Sequence, residues 1–159
     1  MSFKSKRIIT GMFVGVLLAA AYIIYALGRY APSPEDVGAW ALAILIFVGI
    51  SIVLSIVIQI LFHIAYSIGI AVKERERDDK EVERIIASEV TEDELDKLIG
   101  LKSSRAGYIC AGAGFLAALI WLAFFGASVV VALHIIMGAF FIGSGVEGFI
   151  SIRFYERGV

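Results

Sequence analysis

The run VGAWALAILIFVGISIVLSIVIQILFHIAYSIGIAV, residues 37–72, holds no Asp, Glu, Lys or Arg in 36 positions. As one helix it would be about 54 Å long, against a bilayer hydrocarbon core of about 30 Å. Such a helix must tilt, break or project beyond the membrane. Gln59, His63, Tyr66 and Ser67 make its last third more polar, which favours projection, and Gly69 is a candidate break. This run places the chain among membrane proteins.

Three further apolar runs share that character. Residues 8–28 follow Lys4, Lys6 and Arg7 and end among Tyr22, Tyr25 and Tyr30, which read as interfacial anchors. At 21 residues this run exceeds the core of a signal peptide, about 7–15 residues, so it is read as a retained helix. Residues 106–125 and 129–152 form a second pair around a minimal turn, Gly126-Ala-Ser128. Residues 29–36, with Pro32 and Pro34, form the other short loop. Strand-like alternation is lacking, which argues against a barrel. The expected fold is all-α: a polytopic membrane four-helix bundle made of two helical hairpins, residues 1–72 and 106–159, joined by a charged cytoplasmic helical connector.

That connector, residues 73–105, carries 8 of the 14 Lys/Arg and 11 of the 15 Asp/Glu. Glu76 and Lys80 have favourable i,i+4 spacing. Val82, Ile85, Ile86 and Val90 make a thin apolar stripe. Thr91-Glu-Asp-Glu94 has the form of a capping box for a helix over 92–105. Leu95, Leu98, Ile99 and Leu101 could pack back on Ile85 and Ile86. Such a hairpin either joins two membrane pairs or offers a docking surface to a soluble partner.

Orientation follows from the basic residues. The N-terminus, connector and C-terminus carry 3, 8 and 2 of them, and the short loops carry only Arg29. The positive-inside rule then puts both termini and the connector in the cytoplasm.

Small residues recur at helical spacing. Gly11, Gly15 and Ala19 share one face of the first helix. Gly107, Ala111, Gly114 and Ala118 share one face of the third, and Gly138, Gly143, Gly145 and Gly148 line the fourth. Such stripes let helix backbones approach closely in a membrane. They exceed what four helices need internally, so a homodimer or higher oligomer is expected. Lys4-Ser-Lys-Arg7 and Lys102-Ser-Ser-Arg105 hint at a parallel tandem repeat, as do Leu18-Ala-Ala20 and Leu116-Ala-Ala118.

Polar residues inside apolar runs are functional candidates. Glu147 is the one acid within such a run, 19 residues past Ser128, so about 28 Å from that end. There it could pair with Lys102, Arg105 or Arg153, or hold a proton or cation. Gln59 and His63 share a face of the second helix and lie near the same level, giving a candidate site of Gln59, His63 and Glu147. His134 lies about 9 Å from the opposite end, so the two histidines cannot share one metal within a chain. The lone Cys110 excludes an intramolecular disulfide and a cysteine metal cluster. With no metal motif, phosphate loop or nucleophile triad, no catalytic residue, cofactor or metal is expected.

The order of elements, with Gln59/His63, Asp93-Glu-Leu-Asp-Lys-Leu-Ile99, Glu147 and Tyr155-Glu-Arg-Gly158, resembles a family of small four-helix membrane proteins of bacteria and archaea. No activity is established for that family. Leu95 stands where its pattern has Arg. The resemblance implies a prokaryotic plasma-membrane location and a soluble regulatory partner. The expected function is therefore a non-catalytic sensor, regulator or scaffold. The alternative is a small oligomeric transporter or channel using Gln59, His63 and Glu147. Direct binding of nucleic acid is not expected.

Overall fold

The computed structural model describes residues 3–73, 94–126 and 128–157. It is all-α, with no strand among the described residues. The helices are α1 (Phe3–Leu27), α2 (Val37–Lys73), α3 (Glu94–Phe125) and α4 (Val129–Arg157). All four are long and apolar enough to cross a membrane, as a multi-pass membrane protein requires. The connector features within 74–93, including the cap at Thr91, the Glu76/Lys80 pair and the stripe from Val82 to Val90, lie outside the described residues.

α2 is one continuous helix of 37 residues. It runs through Gly69, because a lone glycine costs a helix only about 1 kcal/mol and does not by itself break it. Its length, about 56 Å, is nearly twice the thickness of the hydrocarbon core, about 30 Å. α3 begins at Glu94 and runs without interruption to Phe125, so the end of the connector and the third membrane run are a single helix.

The short loops fix the helix ends by local chemistry. Asp36 caps α2: its Oδ1 accepts from the Ala39 N–H at 2.9 Å and its carbonyl from Trp40 at 3.1 Å. Gly126 has φ +57°, the left-handed conformation that lets the chain leave α3. Ser128 caps α4, accepting from the Val130 N–H at 3.2 Å. The Ser128 hydroxyl also donates to the Pro34 carbonyl at 3.4 Å, linking the two short loops. The Asp36 cap makes a simple test. Asp36→Ala is expected to lower stability by about 1 kcal/mol, read as a lower unfolding midpoint in mixed micelles.

Packing centres on α4. It packs most extensively on α3, next on α1, and lightly on α2, while α1 meets α2 over a smaller area. In its most apolar window 28% of α4 is buried, against 6% in each other helix, so α4 is the hub. Small residues explain this. A Cβ on Gly114 would lie 2.0 Å from the Ala139 Cβ, and one on Gly143 would lie 2.8 Å from the Gly107 carbonyl oxygen. A Cβ on Gly148 would lie 2.6 Å from Met12, so this glycine seats α1 on α4. The stripe on α3 is thus the seam with α4. Gly11 and Gly15 on α1, and Gly138 and Gly145 on α4, face open space instead.

Candidate functional site

Polar side chains gather where α3 begins, at the connector end of the bundle. Asp96, Ile99, Ser103 and Gly107 are buried and fall three or four residues apart, so one face of α3 turns inward along its first turns. The Asp96 carboxylate, only 7% exposed, forms an ion pair with Lys4 of α1. Its other oxygen accepts from the Tyr155 hydroxyl of α4 at 2.8 Å. One carboxylate therefore ties α3 to the start of α1 and the end of α4. One turn further, Ile99 is 1% exposed, and Ser103 donates to the Ile99 carbonyl at 2.7 Å. A buried charge costs several kcal/mol unless paired. Lys4 and Tyr155 meet that requirement.

The sequence marked Lys4 only as one of several basic residues, Asp96 as part of an acidic motif and Tyr155 as part of an interfacial stop. A usable signal was present. Positions 96, 103, 107, 114 and 118 are spaced alternately seven, four, seven and four, so the small-residue stripe extends back to Asp96.

Glu147 lies in the seam between α3 and α4. The Ser104 hydroxyl donates to its Oε1 at 2.6 Å. Gly107 makes room for it, since a Cβ there would lie 3.1 Å from Oε2. Among the described residues no ion pair joins Glu147 to Lys102, Arg105 or Arg153. Lys102 instead rests over the Phe154 ring, 5.7 Å from its centroid.

Gln59 is elsewhere. It lines a cleft of about 220 Å³ between α1 and α2, with Arg7, Ile8, Gly11, Val14, Ser55, Ile58 and Phe62. His63 is exposed one turn further along α2. No hydrogen bond joins either residue to Glu147 among the described residues.

At the opposite end an aromatic cluster surrounds His134. The Trp40 ring meets it edge-on at 4.6 Å, and Tyr22 lies 5.9 Å away. His134 Nδ1 is 2.7 Å from the Val130 carbonyl, which can only accept, so Nδ1 carries the proton. The Tyr22 hydroxyl is buried without a hydrogen-bond partner among the described residues. Next to it an apolar groove of about 500 Å³ opens between α1 and α4. No group of three or more His, Cys, Asp or Glu that could hold a metal occurs among the described residues.

Compared with known proteins, the chain matches no family model, no curated protein and no solved structure.

Proposed function

We propose that this is a non-catalytic regulatory or scaffolding protein of a prokaryotic plasma membrane. Both termini and the connector face the cytoplasm, and the connector engages a soluble regulatory partner. The two halves act as hairpins hung on that connector. The chain belongs, in this reading, to the family its acidic motif and Tyr-x-Arg-Gly ending resemble.

One observation carries the reading most strongly. Asp96, in the first turn of α3, is bound by residues of both α1 and α4. The two motifs behind the resemblance thus meet in a single hydrogen bond, between Tyr155 and Asp96. A load placed on the connector by a bound protein arrives first at this node, and from there reaches three helices at once. Oligomerisation is part of this proposal: Gly138 and Gly145 of α4, where an added Cβ would meet nothing within 4 Å, leave room for the backbone of a second copy to approach.

Removal of residues 74–90 tests this proposal. The shortened chain is expected to reach the membrane with normal yield and to lose a soluble protein that the full chain retains on affinity purification. An identical set of retained proteins from both chains would reject it.

A further inference from the structure

The cleft between α1 and α2 is walled by two facing stripes. Arg7, Ile8, Gly11 and Val14 come from α1, and Ser55, Ile58, Gln59 and Phe62 from α2. Arg7, Ser55 and Gln59 have no hydrogen-bond or ion-pair partner among the described residues. This contrasts with Lys4, one turn earlier on α1, which is committed to Asp96. A guanidinium, an amide and a hydroxyl therefore border one small cavity, all able to donate and none engaged. The remaining described residues of the wall are apolar.

The level of the cleft is informative. Gln59 lies 22 residues beyond Val37, the start of α2. That is about 33 Å along the axis, one hydrocarbon thickness from the opposite face. Arg7 stands near the start of α1, at the same end of the bundle. The donors therefore sit at the depth of lipid phosphates, and the apolar walls extend towards the acyl chains.

We infer that this cleft binds an anionic glycerophospholipid, its phosphate diester held by Arg7, Gln59 and Ser55. The planar guanidinium presents two parallel N–H groups to two phosphate oxygens, the arrangement in which arginine binds phosphate most strongly. The Gln59 amide and Ser55 hydroxyl add neutral donors. Among the described lining residues Arg7 alone is charged, so a lipid whose headgroup keeps a net negative charge is favoured over a zwitterionic one. Ile8, Val14, Ile58 and Phe62 flank the glycerol and upper chain, contacts that a soluble phosphate ester cannot make. Gly11 leaves space for them, since a Cβ there would meet nothing within 4 Å.

Native mass spectrometry of the full-length chain in detergent tests the inference, with phosphatidylglycerol, phosphatidylcholine and glycerol 3-phosphate as probes. One phosphatidylglycerol per chain is expected to survive dilution that removes phosphatidylcholine. Arg7→Gln should weaken its retention by roughly tenfold or more, as expected for loss of a charge-assisted hydrogen-bonded pair. Gly11→Leu should do the same by filling the cleft, while leaving the melting temperature in detergent unchanged. Lys6→Gln, which removes a nearby charge outside the cleft, should have no effect. Equal retention of the two lipids, or equal losses in Lys6→Gln and Arg7→Gln, would overturn the inference. Unchanged binding in Arg7→Gln would also overturn it, even if Gly11→Leu failed to fold. Displacement of the lipid by glycerol 3-phosphate would overturn the assignment to a lipid.

Discussion

Replacing Gly114 with alanine is expected to destabilise the protein by about 3 kcal/mol, the upper end of the range for overpacking a filled interface. The added methyl would lie 2.0 Å from the Ala139 Cβ and 3.4 Å from its Cα. Two methyl groups cannot share that space, and neither can rotate away. The axes of α3 and α4 would have to separate. Because these two helices form the largest contact in the bundle, separation loosens dispersion contacts well beyond the substituted position. Ala139→Gly in the same chain should restore most of the loss by returning the missing volume. Gly112→Ala is the matched control, since nothing lies within 4 Å of its added methyl. It should leave stability unchanged or raise it by up to about 1 kcal/mol through helix propensity. Unfolding in mixed micelles reads all three variants. Equal losses at Gly112 and Gly114 would contradict the packing described.

Asp96→Ala is expected to cost about 3 kcal/mol, near the lower end for breaking a buried ion pair by removing one partner. The loss arises mainly from what remains. Lys4, 22% exposed, keeps a charge that water can only partly solvate, and the Tyr155 hydroxyl loses its acceptor. Asp96→Asn should cost less, because an amide oxygen still accepts from Tyr155. The double substitution Lys4→Met with Asp96→Leu should recover most of the stability, since apolar residues of similar volume often replace buried pairs without loss. Partial proteolysis adds an independent readout. If Asp96 fastens the first turn of α3 to the bundle, Asp96→Ala should speed cleavage near residue 94, whereas Gly114→Ala should affect it less.

The four helices were legible because a bilayer imposes length and apolarity directly on composition. The stripe from Gly107 to Ala118 was legible because close backbone approach needs small residues at helical spacing. Other features were not. Counting residues along a helix gives depth but not which way a face turns. Gln59, His63 and Glu147 lie near one level by such counting, and such counting showed neither the cleft that Gln59 lines with Arg7 nor the hydrogen bond that Glu147 accepts from Ser104. The stripe at Gly11 and Gly15 looked equivalent to the one on α3, but α1 seats on α4 through Met12 against Gly148. Its glycines border a cleft and open space instead. The Asp96 node escaped notice because Glu94 and Asp96 are alike in sequence, and of the two only Asp96 falls on the buried stripe.

All of the proposed function depends on the side of the membrane that the connector occupies. Cys110 is the chain's one cysteine, so a Cys110→Ser background allows single cysteines to report accessibility. Ser33→Cys marks a short loop, and Ser88→Cys marks the connector. With a membrane-impermeant maleimide on intact cells, Ser33→Cys should label at once, and Ser88→Cys only after permeabilisation. Labelling of Ser88→Cys in intact cells, with Ser33→Cys protected, would place the connector outside and contradict the account.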